Sequence, residues 1–386
     1  MTGKGDLTYR DAPPPTVHPD LSYWADLFPG KPQWTPSTAL PPGSLAGNKA
    51  IVTGGYNGIG IETVDALLRA SSDVWIFGRS QSKWQDGIQQ LKQREGIKFT
   101  LQNEPRQQGV SQLSFAQMDL GDLHSVKTAA EMYLEAESKL HMLFCSAGVM
   151  MPPYGSLTSH SHELQLGTNV LGHHYLIKLL LPTLLASKSA TFTPRICLTS
   201  SAGHVLSPTR AGRAFSPDDP FCEKAMSNWL PGNLKSLMQY GNSKMGNVLQ
   251  AGKLHRTYFL GEGGDDEAGG RLIVTSVHPG VLMTDLPRHL SPEKPTLSDR
   301  VMTALAYSIV FPVIGYAPSF GALNQLYACT LPDQEAFRVG LSGSYVSPWC
   351  RLGRAMRKSE DKSTQDDLWD WCEGEVERLT GTKRGI

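Results

Sequence analysis

The chain has 386 residues, with 36 basic and 36 acidic side chains and an apolar fraction of 40%. That balance leaves no electrostatic footprint for nucleic acid or an anionic membrane, and the apolar share supports a sizeable core. The six cysteines, Cys145, Cys197, Cys222, Cys329, Cys350 and Cys372, are scattered, with no C-x-x-C and no histidine cluster at metal-ligand spacing. Thiols in a reducing compartment are expected, and no metal site.

Residues 1–46 hold nine prolines together with Tyr23, Trp24, Phe28 and Trp34. The prolines oppose regular structure, while the aromatics argue against a purely disordered tail. The expectation is an irregular arm lying on the main domain; the rival is a mobile tail. "MTGKGDLTYRDAPPP" has no apolar core of a signal peptide, so a cytoplasmic protein is expected.

From residue 47 strands and helices alternate. "KAIVTG" (49–54) is an apolar run suited to a central parallel strand. A helix (59–70), a strand "DVWIFG" (73–78) and a polar helix (82–95) follow. A glutamine-rich loop near 102–112 leads to a strand at 112–120, then a helix (125–140) and the strand "HMLFCSAG" (141–148). A long helix (162–185), a strand "PRICLTSS" (194–201), a helix (234–259) and a strand "RLIVTSVHPG" (271–280) continue the pattern. "SGSYVSP" (342–348) suits a seventh strand, and 364–379 a terminal amphipathic helix. Alternating βα units predict an α/β fold with a doubly wound parallel sheet.

Two loops are over-long. Residues 202–239 leave the carboxyl end of a strand, where open α/β sheets bind ligands, so a substrate-covering role is expected. Residues 260–270, "LGEGGDDEAGG", read as surface decoration. From Val301 to Pro332 there is no charged residue. Pro312, Gly315, Pro318, Gly321, Asn324 and Gln325 interrupt the run, so a buried or pocket-lining helix pair is expected in place of a membrane span.

"TGGYNGIG" (53–60) joins the first strand to the first helix, with Gly54, Gly58 and Gly60 in a G-x-x-x-G-x-G pattern. Glycines let the backbone approach a ligand closely, and the helix N-terminus offers free N–H groups to a pyrophosphate. Tyr56, Asn57 and Ile59 belong to the same turn. The second strand ends at Gly78, where an acidic residue would bind the ribose of NAD, and Arg79 follows. A guanidinium suits a 2′-phosphate, so NADP(H) is expected over NAD(H). Asp119 and Leu120 end the third strand, where a side chain can meet the adenine; the bland alternative is a helix-cap aspartate.

Tyr240 and Lys244, in "QYGNSKMGN", share one helix face. Alone, the pair reads as surface filler. Taken together, "TGGYNGIG", "MDL", "SAG" (146–148), "TNVLGHHYL" (168–176), "RICLTSSAGH" (195–204), "YGNSK" (240–244) and "HPGVLMT" (278–284) resemble the short-chain dehydrogenases/reductases, nearest the branch of retinol dehydrogenases and the WW-domain oxidoreductase. The likeness covers about residues 47–350 as one Rossmann-fold domain with extended substrate loops, leaving the 1–46 arm and a 351–386 helical extension outside.

The resemblance implies that Tyr240 is the acid/base and Lys244 its partner, that Ser201 hydrogen-bonds the substrate oxygen, and that Asn169 holds a water linking Lys244 to solvent. It implies cofactor contacts at Ala147, Gly148, Thr284 and the backbone of Pro279, Gly280 and Val281. A free phenol has a pKa of about 10, and an adjacent ammonium would favour the phenolate. Cys145-Ser146-Ala147-Gly148 departs from the family's Asn-Asn-Ala-Gly, which puts the contacts beneath the cofactor in question. Ser201 and Tyr240 stand 39 residues apart, more than in minimal members. His173, His174 and His204 read as packing or loop residues.

The expected function is an NADP(H)-dependent oxidoreductase interconverting a carbonyl and an alcohol on a bulky lipophilic small molecule. The apolar 301–320 segment, the 202–239 loop and "VMMPPYG" (149–155) would wall its pocket; retinoid-, steroid- or polyketide-like substrates fit by analogy. A redox-neutral isomerase, dehydratase or cyclase on the same site, or a non-catalytic NADP(H)-sensing regulator, are the alternatives. The 320–333 helix suggests a homodimer or tetramer, unless extra segments cap that surface and leave a monomer.

Overall fold

A computed structural model of the chain describes residues 30–208, 213–262, 270–282, 316–353 and 355–385. Thr284, the 1–29 part of the arm and most of the apolar 301–320 segment lie outside the described residues. The strands are β1 (Lys49–Thr53), β2 (Asp73–Gly78), β3 (Phe99–Leu101), β4 (Ser111–Gln117), β5 (Met142–Cys145), β6 (Arg195–Thr199), β7 (Ile273–Val277), β8 (Tyr345–Ser347) and β9 (Arg351–Gly353). They form one sheet in the order β3-β4-β2-β1-β5-β6-β7-β8-β9. Every pairing is parallel except β8 with β9.

Besides short turns at Pro36–Ala39 and Leu164–Leu166, the helices are α1 (Gly58–Arg69), α2 (Gln81–Lys92), α3 (Leu123–Ala136), α4 (His173–Ala186), α5 (Gly232–Tyr258), α6 (Pro318–Thr330), α7 (Asp333–Arg338) and α8 (Lys362–Thr380). Two apolar layers hold them to the sheet. On one face Ile51, Trp75, Phe77, Leu143 and Ile196 meet α3, α4, α5 and α8. On the other, Val52, Val74, Ile76, Phe144 and Cys197 meet α1, α2 and α6. Neighbours along a strand thus feed opposite layers, and β2, β6 and β7 are buried throughout. Parallel strands covered on both faces read as continuous apolar runs for this reason.

From β1 the chain winds outward through β2, and it then returns to the other side at β5. The sheet reverses between β1 and β5, and ligands bind at such a point, beyond the carboxyl ends of the strands. This confirms the doubly wound α/β sheet.

Differences from expectation are local. A three-residue strand, β3, pairs with the edge of β4, too short for a periodic signal. The strand expected at 141–148 stops at Cys145, since the next residues turn toward the site. The helix expected over 162–185 starts with Leu164–Leu166, passes through a π-helical turn at Gly167–Gly172 and continues as α4. β9 doubles back on β8, so residues 351–353 belong to the sheet. In the arm, Leu40 and Leu45 are buried, and Trp34 meets Tyr327 of α6 edge-on at 5.7 Å. Among the described residues no helix is long and apolar enough to cross a membrane.

Candidate active site

The turn between β1 and α1 is built on close approach. Gly54 and Gly58 have φ of +69° and +53°, a region that suits glycine. A Cβ on Gly60 would stand 2.4 Å from the Gly54 carbonyl oxygen. Asn57 occupies the N-cap of α1 but makes no side-chain bond to its N–H groups, which leaves them for an anion. The residues fit a pyrophosphate. Ile59 turns the other way, toward Gly321 of α6.

Tyr56 lies over Gly78, where a Cβ would come within 2.2 Å of the ring, and its hydroxyl accepts from Ser80 N–H at 3.4 Å. It thereby holds the turn after β2. Arg79 stands at that turn, 67% exposed, with a loose ion pair of 3.8 Å to Asp119. Asp119 also accepts from Gly121 N–H at 2.8 Å. Leu120 is buried, and its carbonyl abuts Gly172, where a Cβ would stand 2.3 Å away.

β6 ends in Thr199, and Ser200 and Ser201 follow. Ser201 caps a 3-10 turn, Ala202–Leu206, its Oγ accepting from Gly203 N–H at 3.1 Å. The hydroxyl proton therefore remains available to another acceptor. Tyr240 and Lys244 lie on one face of α5, both buried, with Lys244 Nζ 5.6 Å from the centre of the tyrosine ring. Lys244 Nζ donates to Thr199 O at 2.8 Å. Ser200 Oγ donates to Lys244 O at 2.9 Å, tying strand end to helix.

Burial pushes the Tyr240 phenol up to about 12, and its hydrogen bond with Ser201 acts in the opposite sense. Burial brings the Lys244 amine down to about 8. The expected lowering of the phenol is therefore absent within the protein moiety, because desolvation of a phenolate outweighs one hydroxyl donor.

Asn169 sits in the π-helical turn. Its Nδ2 donates to Val149 O and Ser243 Oγ, both at 3.0 Å, and its Oδ1 accepts from Val149 N–H at 2.8 Å. The amide braces the chain after Gly148, which itself comes within 3.5 Å (from a built Cβ) of Lys244 Nζ. The Asn169 carbonyl accepts from His173 Nδ1 at 3.1 Å. His173 is buried, and burial takes its imidazole down to about 4. In the neutral ring Nδ1 carries the proton, so Nε2 accepts from Thr53 Oγ1 at 3.0 Å. Thr53 Oγ1 in turn accepts from the N–H groups of Ser146 and Ala147, both at 2.9 Å. Thus Thr53 orders the Cys-Ser-Ala-Gly turn. Thr53 stood inside the glycine motif and His173 inside "TNVLGHHYL", but neither carried a sign of this role.

Beyond β7, Gly280 has φ +90°, and a Cβ there would stand 2.9 Å from the Trp349 ring. Pro279 precedes it, half-buried. Val281 O accepts from Tyr316 N–H at 2.9 Å. His204 accepts from Met356 N–H through Nε2 at 3.1 Å and meets Ser201 O through Nδ1 at 2.7 Å; it packs the serine loop against the C-terminal segment, as read. His174 likewise pairs with Glu373 of α8 at 2.8 Å. Apart from Ile59, which faces α6, the expected residues from Gly54 to Val281 gather near the carboxyl ends of β1, β2, β4, β5, β6 and β7. Among the described residues no group of three or more His, Cys, Asp or Glu side chains forms a metal site.

Comparison with known proteins matches this geometry. A short chain dehydrogenase family model covers residues 48–211. A short-chain dehydrogenase/reductase of Armillaria gallica is 35% identical over 354 residues, 92% of this chain and 97% of its own. Retinol dehydrogenase 14 of Homo sapiens is 28% identical over 332 residues, covering 86% of this chain and 87% of its own; a relative from the retinol dehydrogenase-like branch thus agrees with the sequence reading. Among solved structures, an uncharacterised protein of Mycobacterium paratuberculosis superposes with a TM-score of 0.58 at 24% identity, over 92% of this chain and 99% of its own. The Pseudomonas aeruginosa RhlG/NADP complex does so with 0.50 at 22%, over 75% and 92%. The likeness to the Armillaria protein runs over nearly the whole of both chains, and on that ground this chain belongs to the short-chain dehydrogenase/reductase family of nicotinamide-dependent oxidoreductases.

Proposed function

We propose that the chain is an NADP(H)-dependent oxidoreductase that interconverts a carbonyl and an alcohol on a bulky lipophilic substrate, with Tyr240 as proton donor and acceptor. The observation that carries this reading is the buried Tyr240–Lys244 pair, with the Ser201 hydroxyl bonded to the phenol. The turn of Gly54, Gly58 and Gly60 would hold the cofactor's pyrophosphate, and the nicotinamide, when bound, would supply or receive the hydride. With substrate bound, the Ser201 hydroxyl would turn its proton from the phenol to the substrate oxygen and offset charge developing there. Tyr240, protonated at neutral pH, donates a proton to that oxygen in the reductive direction. In the oxidative direction the Lys244 ammonium, charged below its pKa of about 8, favours the phenolate. Lys244 keeps its orientation through Thr199 O, and Asn169 holds the Gly148–Val149 backbone beside it.

Support for NADP(H) comes from Arg79, which follows β2, and from β2 itself ending in Gly78, not in an acidic residue that would meet a ribose 2′-hydroxyl. The fold alone does not choose, since similar solved structures carry NADP in one case and NAD in another. Support for a lipophilic substrate comes from the rim around the N-terminus of α5. Tyr154, Leu206 and Leu234 are exposed there, and Trp229 is 82% exposed, an unusual cost for a polar-substrate site.

The test mixes protein, NADPH and a panel of lipophilic ketones and aldehydes and follows absorbance at 340 nm. Turnover by the native chain, lost by about three orders of magnitude in Tyr240→Phe, is the expected result. Equal rates in both proteins, or none with any carbonyl, would count against the reading.

A further inference from the structure

The Gln325 carboxamide, on the buried face of α6, is shut off from solvent. Its Nε2 donates to Ser146 Oγ at 2.9 Å and to Thr199 Oγ1 at 2.8 Å. Its Oε1 accepts from Thr63 Oγ1 at 2.9 Å. One side chain thus joins α1, the turn after β5 and the last residue of β6. Thr199 is also the residue whose carbonyl accepts from Lys244 Nζ and from Asn247 Nδ2, each at 2.8 Å. Ser146 is the residue whose N–H, with that of Ala147, is held by Thr53.

A buried amide with both protons and its oxygen engaged has little freedom, and its loss would leave three hydroxyls to find new partners in a closed space. We propose that Gln325 is a positioning residue for Lys244: it holds Thr199 so that its carbonyl stays under the ammonium, and locks that point to the turn after β5. The inference rests on the reading of Tyr240 and Lys244 as the reacting pair. A donor reaching Ser146 from α6 also accounts for how this chain manages with Cys145-Ser146 at that turn.

The titratable groups packed round this volume are Tyr240 on α5, His173 on α4, and the thiols of Cys145, Cys197 and Cys329 on β5, β6 and α6. Burial holds the Cys145 and Cys197 thiols and the Tyr240 phenol in their protonated forms, and the imidazole neutral, at pH 7. The amine of Lys244 is therefore the group free to report a change at residue 325.

Two variants test the assignment. Gln325→Leu removes all three hydrogen bonds. Gln325→Glu keeps the length, and each hydroxyl can turn to donate to the carboxylate. The readout is the pH titration of the Lys244 13Cε resonance, identified by its loss in Lys244→Arg; it needs no substrate and so stands apart from the carbonyl panel. Gln325→Leu is expected to lower the midpoint by about half a unit or more, and Gln325→Glu to raise it by about one. On a substrate that turns over, the Leu variant should lose about tenfold in kcat with little change in carbonyl KM. A midpoint equal to the native one in both variants, with only a lower melting temperature, would overturn the proposal and leave Gln325 as packing. Should the Leu variant fail to fold, the Glu variant decides alone by the same midpoint.

Discussion

Lys244 Nζ donates to the main-chain oxygen of Thr199 at 2.8 Å, and Asn247, three residues on, donates to the same atom at the same distance. An ammonium with this buried carbonyl acceptor is partly compensated, but burial still takes its pKa from the usual 10.5 to about 8. Between those values the unfolded chain holds a proton that the folded chain has released, so stability from this residue rises with pH across that window. Tyr240 acts in the opposite direction only above pH 10, where the unfolded phenol ionises first. We therefore expect Lys244→Met to be more stable relative to the native protein at pH 7 than at pH 10, by about 2 kcal/mol. Urea unfolding of both proteins at the two pH values measures this. Turnover by the variant should fall by two orders of magnitude or more at pH 7.

Arg79 gives a prediction about the cofactor. Its guanidinium is free to move, since the 3.8 Å contact to Asp119 is an exposed pair worth little. A 2′-phosphate would offer a stronger, charge-assisted partner. Arg79→Ala should raise the KM for NADPH by about tenfold to a hundredfold and change that for NADH by less than about threefold. Equal changes for both would remove the preference for NADP(H). Initial rates against each cofactor decide it.

The layers of the fold and the pair on α5 were readable because both leave local patterns. Alternate residues of β1 and β2 feed opposite cores, and Tyr240 and Lys244 sit one helical turn apart. Gln325 was not readable. It looked like an interruption of an apolar run, since its partners Thr63 and Ser146 lie 262 and 179 residues away in the chain. The same holds for His173, whose bond to Thr53 spans 120 residues. A residue whose role is set by distant hydrogen bonds carries no periodic mark. The rise of the Tyr240 phenol was missed for a related reason: the motif shows the cation but not the depth at which the pair is buried.

Gly60 carries the next prediction. A Cβ there would stand 2.4 Å from Gly54 O and 2.9 Å from Gly55 Cα. Both are backbone atoms of the phosphate turn and cannot step aside without moving it. Gly60→Ala should cost about 1–3 kcal/mol of stability and abolish NADPH binding at concentrations that saturate the native chain. Fluorescence titration with NADPH, beside a thermal melt, would show both. A variant that melts early but binds as before would mean the helix start adapts without opening the cradle.

The last prediction concerns α8. Glu373 accepts from His174 Nε2 at 2.8 Å, Lys178 Nζ at 2.7 Å and Gly385 N–H at 3.0 Å. Burial opposes ionisation, but these donors outweigh it and hold the carboxyl at about 2. A carboxyl lowered on folding gives stability that is present above its unfolded pKa near 4.5 and is lost as pH falls from there toward 2. Glu373→Ala would leave Lys178 buried without its carboxylate and should cost about 3–5 kcal/mol at pH 7. The double variant Lys178→Met, Glu373→Leu should recover much of that loss, since no charge is then stranded. Urea midpoints of the three proteins measure it, and the gap between native and Glu373→Ala should narrow at pH 3. Trp371 of α8 meets Phe215 and Phe221 of the loop that precedes α5, at 5.9 and 6.0 Å. A loosened α8 should therefore raise the KM for a carbonyl substrate while leaving that for NADPH near its native value, because the phosphate turn lies on the opposite face of the sheet, with α1.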